Sequence, residues 1–540
     1  MRKIKVLACG EASFLSSGYS TYMRNLLIEL SKYDDIEIAE FGTYGHINDS
    51  RHNNKWKFFG NLPASKEEEA KYESNIIYEY GAFRFEETLL KFKPDVVFDI
   101  RDHWHFVHEN NSPFRKHFNW IIMPAVDAEP QNPDWIHTFL QADGVLTYCD
   151  WNNELLKKQG NGNIKCFGAA PSAAETCFQP LNKDEIKKSV GLDRYQNIIG
   201  TVMRNQARKL YPDLFEAFSI FLNKTGRDDV WLLCHTTYPD GNGWDFPYYI
   251  NKYNIGHRLL FTYQCLNCGA IEIKPFNDVF SPCANCGEIK SSMTNTSLGI
   301  GSQDLAYIYN CMDVYIQYAN SEGFGMPQVE AACCGVPIMS VDYSAMSDIV
   351  RKVDGTPLRV KGFVNEIQTN CRRAIPDNEF LADKLSEFFN IPKTLRNLKS
   401  KNIEKLARNH FSWERTAEIW YNTIKTVSLN KKEDWNSPPK IYPINNTPPD
   451  NCSKEKFVEW LILDVLKDES KLNSYFHSKL LRDLEIGFVK IGHGGFYSNE
   501  FLPVFFEQNY QPFGINEAFQ MVANMATQRN FWEEQRVKSN

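Results

Sequence analysis

The ten residues Ser321-Glu322-Gly323-Phe324-Gly325-Met326-Pro327-Gln328-Val329-Glu330 decide how the rest of this chain is read. They lie between an apolar, strand-like run, Asp313-Val314-Tyr315-Ile316-Gln317-Tyr318, and a short helix with legible ends. Pro327 suits the first helical turn, where its missing N–H costs nothing, and Gly335 followed by Pro337 is the expected stop. A glycine-containing loop thus delivers the chain onto a helix N-terminus. Unpaired N–H groups and a partial positive charge make such a terminus a seat for a phosphate or for sugar hydroxyls. Glu322 stands just before the helix and Glu330 about one turn into it. Two carboxylates therefore flank one anion-tolerant pocket, each able to accept both hydroxyls of a vicinal diol.

An anion site flanked by diol acceptors describes a pocket for a nucleotide-sugar better than one for a bare phosphate. Glu322 through Glu330 resembles the Glu-x7-Glu motif of retaining glycosyltransferases of the GT-B fold, and Glu-Gly-Phe-Gly-Met-Pro-x-x-Glu-Ala is similar to family 4 of those enzymes. The resemblance implies that Glu322 and the amides of Gly323, Phe324, Gly325 and Met326 meet the donor sugar, while Glu330 holds the nucleotide ribose. Two isolated glutamates would as readily solvate a helix start; the whole string makes that the minority reading.

With 540 residues the chain is long enough for two sizeable cores and an extension. Hydrophobic residues at 43% and charged residues at 24% are ordinary for a globular protein. The formal net charge of -7 argues against a protein wholly devoted to nucleic acid or anionic membrane, while leaving room for a local basic patch. No run approaches membrane-spanning length, and the apolar part of Met1 to Cys9 is too short for a signal-peptide core, so it reads as a first buried strand. Scattered cysteines point to a reducing, cytoplasmic compartment.

That first strand runs into Gly10 to Ser20, after which Thr21 to Leu30 has helical periodicity, the opening of a doubly wound α/β domain with its loop at the ligand-binding edge. By the family resemblance, Gly18 is the candidate glycine beside the donor diphosphate. Further strands are expected at Ile36 to Phe41 and Lys93 to Ile100. The second is followed by Arg101-Asp102-His103-Trp104-His105-Phe106, whose side chains should face a cleft between domains. On an extended chain His103 and His105 would share a face and could bind metal, but the spacing matches no zinc pattern. Acceptor recognition is the functional reading, with Trp104 as a stacking platform and Asp102, His103 or His105 binding hydroxyls; an aromatic-rich loop packed for stability stands beside it. Next, Phe118 to Pro130 reads as a strand breaking into a turn. Family 4 proteins commonly carry His-Asp there, next to the reacting carbon. This chain has Val126-Asp127, so the resemblance carries over Asp127 and not the histidine.

In the second half, Asn197 to Met203 is a buried-strand run, followed by Arg204-Asn205-Gln206-Ala207-Arg208-Lys209 and an amphipathic helix opened by Pro212. Arg204 and Lys209, in an Arg-x4-Lys spacing, resemble the cations that clamp the donor pyrophosphate, where fixed charge stabilises the departing diphosphate. No Asp-x-Asp triad occurs, which favours a metal-independent GT-B reaction and no catalytic metal. After Arg258 to Tyr263 the family pattern is interrupted by Cys265-x2-Cys268 and Cys283-x2-Cys286, each pair followed by a glycine. This is zinc-ribbon spacing, and four thiolates leave no open position, so the metal should be structural. The pattern resumes near Ser297.

The reading is therefore a GT-B fold, two Rossmann-like doubly wound α/β domains. Residues 1–180 form the acceptor side, 181–405 the donor side with a zinc-ribbon insertion at 263–297, and 406–430 a crossover helix that Ser412 can cap. A Pro- and Asn-rich linker at 431–452 and a mainly helical extension at 453–540, of open role, follow. The implied activity is retaining transfer of a sugar from a UDP-, GDP- or ADP-sugar to a saccharide, lipid-linked or other acceptor. The alternatives are transfer to a nucleic-acid base, which the ribbon favours and the acidity opposes, and a nucleotide-sugar-binding protein without turnover.

Overall fold

The computed structural model describes residues 2–437, apart from 53–54, 295–298 and 368, then residues 453–460 and a few positions up to 481. Most of the expected linker and extension, and the point at Ser297 where the family pattern resumes, lie outside the described residues.

Seven parallel strands form the first sheet: β1 (Ile4–Glu11), β2 (Ile36–Thr43), β3 (Lys57–Gly60), β4 (Val96–Asp99), β5 (Asn119–Ile122), β6 (Gly144–Thr147) and β7 (Cys166–Ala169), in the order β3-β2-β1-β4-β5-β6-β7. Strands covered by helices on both faces need apolar residues throughout, and Val6, Leu7, Ala8 and Cys9 are accordingly all fully buried. The second sheet has a parallel core, β10 (Leu259–Cys265), β9 (Val230–His235), β8 (Asn197–Val202), β14 (Val314–Gln317), β15 (Ile338–Val341) and β16 (Thr356–Leu358), in that spatial order. Both orders reverse direction once, between β1 and β4 and between β8 and β14. Ligands of open α/β sheets bind at the carboxyl ends of the strands beside such a switch point. Each loop singled out above for the donor leaves one of these strands: Gly18 follows β1, Arg204 to Lys209 follows β8, and Ser321 to Gly325 follows β14.

Beyond Phe261, β10 outruns its parallel partner and pairs antiparallel with β11 (Ile271–Lys274) and β13 (Ile289–Met293), and β12 (Ser281–Pro282) adds to β13. The cysteine-bearing insertion thus grows directly from the sheet. A separate antiparallel hairpin, β17 (Val360–Asn365) and β18 (Arg372–Pro376), follows β16.

Local chemistry sets the helix ends. Ser17 caps the helix Gly18–Leu30 by accepting from Ser20 N, and Gly226, in the left-handed region at φ 63°, ends the helix Tyr211–Thr225. The latter helix buries Leu214, Phe215, Phe218 and Phe221, a stripe spaced as an amphipathic helix requires. Helix Trp413–Val427, capped by Ser412 through Arg415 N, packs on the first domain. There Trp420 lies 4.6 Å from the Phe98 ring and donates its Nε1 hydrogen to the Tyr22 hydroxyl at 2.8 Å. Among the described residues no helix is long and apolar enough to cross a membrane.

Trp420 is fully buried, so Trp420→Ala opens a cavity and orphans the Tyr22 contact. Such truncations cost about 3–5 kcal/mol, and the expected result is a marked drop in the urea midpoint, whereas Trp420→Phe, which loses only part of the ring and the hydrogen bond, falls by less.

Candidate functional site

Two loops meet at the carboxyl edge of the second sheet and are knitted together by backbone pairing. Leu210 N donates to Tyr318 O at 3.0 Å, Asn320 N to Arg208 O at 3.0 Å, and Lys209 forms an antiparallel bridge with Ala319. That pairing carries Arg208 and Lys209 to Glu322. The Glu322 carboxylate accepts from Arg208 at 2.7 Å, from the Lys209 ammonium, and from Gln317 Nε2 at 2.7 Å, while Tyr315 donates to Gln317 in turn. Glu322 N donates to Ser344 Oγ at 3.0 Å, which fixes the backbone as well. Glu322 is 5% exposed and Lys209 7%, so this pair sits in a weakly screened environment.

The loop then turns into helix Met326–Cys333 at Gly325, whose φ of 90° lies in the left-handed region. A Cβ there would also stand 2.6 Å from the movable end of Gln328, its Nε2, so it is the positive φ that calls for glycine. Pro327 falls in the first turn and Gly335 ends the helix at φ 72°. One turn in, Glu330 is buried and accepts from the Tyr309 hydroxyl at 2.8 Å. Burial pushes its carboxyl up to about 7, against the Tyr309 hydrogen bond, which favours the ionised form.

The first domain closes on this loop. A Cβ on Gly18 would lie 3.9 Å from Met326 Sδ, and one on Gly323 would lie 3.4 Å from Ala125 Cβ. Two helix N-termini, at Gly18 and Met326, therefore approach each other across the cleft. Asp127 comes from the opposite wall and accepts from Ser321 Oγ at 3.2 Å and from Arg373 at 2.6 Å. Val126 is turned into the first-domain core.

Arg204 stands apart from this group. It is bound to Asp240 at 2.8 Å, and its side chain is 45% exposed at the rim. The residue that reaches Glu322 beside Lys209 is Arg208, present in the same sequence string and passed over because the Arg-x4-Lys spacing selects Arg204. Arg373, Gln317 and Tyr309 also join the site; no motif marks them, since each arrives from an element remote in sequence or on a strand's inner face.

The segment after β4 differs from the expectation. The sequence reads as a loop here, in which His103 and His105 would share a face only on an extended chain, but His103–Asn110 is a helix with Asp102 as its N-terminal cap residue. In a helix, residues two apart point to different sides. His103 accordingly enters the first-domain core, with Nε2 2.9 Å from Thr138 Oγ1 and its ring stacked 5.8 Å from Trp135, while His105 packs 4.6 Å from Tyr80. Burial lowers His103 to about 3, and burial with the nearby Arg101 lowers His105 to about 2, so both are neutral at physiological pH. Trp104 leans on Trp135 and His105. Of the four residues, Asp102 is electrostatically part of the site: burial first, then Asp127 and Glu11, raise its carboxyl to about 7, against Tyr19 and Arg208.

The four insertion cysteines converge, with Cys265, Cys268, Cys283 and Cys286 placing their sulfurs within 4.8 Å of one another and two pairs at 3.7 Å. A tetrahedron of thiolates on bonds of about 2.3 Å has edges of about 3.8 Å. Gly269 and Gly287, both at positive φ, close the two turns by donating to Cys265 O and Cys283 O.

Residues 292–404 match the family model described as Glycosyl transferases group 1. A D-inositol 3-phosphate glycosyltransferase of Gordonia bronchialis is 24% identical over 197 residues, 36% of this chain and 36% of that one, so the chain matches little more than a third of that relative. Among solved structures, sucrose-phosphate synthase of Thermosynechococcus elongatus superposes with a TM-score of 0.58 at 15% identity over 79% of this chain and 99% of its own. A glycosyltransferase of Rickettsia africae gives 0.54 at 14% identity (80% and 100% covered), and HepE of Anabaena in complex with UDP gives 0.53 at 12% (78% and 100%). This likeness establishes the GT-B fold; activity has to be argued from the site.

Glu330 makes a pH-dependent contribution whose sign is fixed. Its folded value of about 7 lies above its ordinary 4.5, so between those values the folded chain holds a proton that the unfolded chain has released. Stability therefore falls as pH rises from 4.5 through 7, by up to about 3 kcal/mol. Glu330→Gln, which keeps an acceptor for Tyr309, is expected to melt above the wild type at pH 8, with the gap closing toward pH 5, as read by thermal denaturation across that range.

Proposed function

We propose that this protein is a retaining glycosyltransferase that moves a sugar from a nucleoside-diphosphate sugar to an acceptor. The observation that carries the reading is the Glu322 carboxylate, locked by Arg208, Lys209 and Gln317 at the start of helix Met326–Cys333, with Glu330 one turn further on and Asp127 across the cleft. In this reading Glu322 and the amides from Gly323 to Met326 bind the sugar hydroxyls, and Glu330 takes the ribose diol. Lys209, with Arg204 and Arg208 at the rim, offsets the charge that develops on the departing diphosphate beside Gly18. Asp127 lies beside the reacting carbon. Attack comes from the face the diphosphate leaves, and the leaving phosphate takes the acceptor's proton, so the core position of Val126 removes no required base. Glu11, Asp102 and Asp127 line the first-domain side, and carboxylates there favour a hydroxyl-rich acceptor over a nucleic acid.

The test is a thermal-shift and turnover panel of UDP-, GDP- and ADP-sugars. A true donor at a hundred times its Kd stabilises by about 2.7 kcal/mol, and Lys209→Ala should lower turnover by about 10²-fold or more. Product of inverted anomeric configuration by NMR would refute retention, and stabilisation by none of the nucleotide sugars would refute the donor site itself.

The insertion, in this reading, is a ribbon holding one structural zinc. Metal analysis of the purified chain should give about one zinc per molecule, and Cys268→Ser or prolonged chelation should lower the melting temperature, because the site's binding energy is folding energy. A metal-free protein of unchanged stability would show the cluster to be a plain thiol group.

A further inference from the structure

The β17–β18 hairpin belongs to neither parallel sheet, and its second strand spans the cleft. Residues two apart on a strand present their N–H groups to the same edge. On that edge Arg372 N donates to Glu129 O of the first domain at 2.8 Å, and Ala374 N donates to Asn320 O of the second at 2.9 Å. Around this bridge, the Arg372 guanidinium pairs with the Glu129 carboxylate at 2.6 Å and Cys371 donates its thiol hydrogen to Pro130 O at 3.0 Å. The Tyr343 hydroxyl donates to Arg372 O at 2.7 Å and accepts from Glu129 N at 3.0 Å. Glu129 lies two residues past Asp127, and Asn320 two residues before Glu322, so the hairpin ties together the two loops that carry the reacting groups.

Between Arg372 and Ala374 the side chain of Arg373 turns inward and is 12% exposed. Its guanidinium lies 2.6 Å from Asp127 and 2.6 Å from Ser321 Oγ through one nitrogen, and 2.6 Å from Glu366 through another. Glu366 is held in turn by Thr369 at 2.6 Å. A planar fork can satisfy both carboxylates at once; an ammonium on a flexible stem cannot hold that geometry.

We propose that Arg373 is a positioning residue for the transfer reaction, presented by the hairpin across the cleft to aim the Asp127 carboxylate at the Ser321–Glu322 loop. The proposal rests on the donor-site reading above. In the transfer, the bond from sugar C1 to the diphosphate oxygen breaks with its electron pair going to the diphosphate, a bond from the acceptor oxygen to C1 forms, and the acceptor's proton leaves on the diphosphate. Arg373 exchanges no proton; it fixes the position of one carboxylate.

The experiment compares wild type with Arg373→Ala, Arg373→Lys and Arg372→Ala. Turnover is measured as release of nucleoside diphosphate from UDP-glucose, GDP-mannose and ADP-glucose with water as acceptor, and binding of UDP, GDP and ADP is measured by calorimetry on the same preparations. Loss of Asp127 orientation predicts that kcat falls about 10²-fold in Arg373→Ala, the scale of lost transition-state electrostatics, with KM and nucleotide affinity changed by less than about threefold. Arg373→Lys should recover about tenfold of that loss, since it restores one contact. Arg372→Ala, which weakens the bridge and leaves the Asp127 contact, should keep most of kcat. Unchanged kcat in Arg373→Ala overturns the proposal, as does a lysine variant no better than alanine whose melting temperature falls in step with its rate. A wild type that binds none of the three nucleotides overturns the donor reading instead, and the role of Arg373 goes with it.

Discussion

The arrangement depends on a carboxylate that the fold has taken out of water. Glu322 is almost fully buried, and a bare charge in that position would be costly; it is tolerated because Arg208, Lys209 and Gln317 surround it with donors. Removing one partner of such a pair costs about 3–5 kcal/mol, because the remaining charge stays buried. The group is assembled by backbone pairing between the loops after β8 and β14, which lie together because β8 and β14 are neighbours at the switch point of the sheet. A local charge cluster and the topology of a whole domain are thus one constraint.

The opposite wall shows the complementary electrostatics. Arg101, the cation at the end of β4, is fully buried and consumed by Asp99, Tyr80 O and Thr43, so it lends no charge to the cleft. What faces the second domain is acidic and hydroxyl-bearing: Asp102, Tyr19, Glu11 and Asp127. The cations of the cleft thus come from the second domain, which also supplies Glu322 and Glu330, while the facing wall of the first domain adds Asp102, Glu11 and Asp127. In the proposed reaction this division suits a leaving diphosphate on one side and an acceptor rich in hydroxyls on the other. Burial leaves Asp102 and Glu330 at about 7, so the protonation of both responds near neutrality, while the buried histidines of the same wall do not titrate there.

Much of the fold was legible because its signals are local. Apolar runs such as Val6 to Cys9 must be buried on both faces, Pro327 and Gly335 bracket a helix, Ser412 caps another, and paired Cys-x2-Cys turns with trailing glycines have few alternatives. The segment after β4 reads as a loop, and the helix His103–Asn110 there is not legible, for a local reason too. Its residues carry no strong periodicity, and the helix is set by packing of His103 against Thr138 and Trp135, which lie more than thirty residues on.

By itself the sequence determined the two-domain α/β architecture, the glycine-bearing turn onto helix Met326–Cys333, the cysteine cluster, and the presence of Glu322, Glu330 and Lys209 near a strand's carboxyl end. Each follows from backbone preference or from spacing within a few residues. Tertiary structure alone decided which charges meet. It turned Arg204 to Asp240 and brought Arg208 to Glu322, it sent His103 into the core, and it carried Arg373 to an aspartate 246 positions away in the chain. Side-chain partnerships across a cleft depend on where two sheets and a hairpin come to rest, and no short stretch of sequence encodes that.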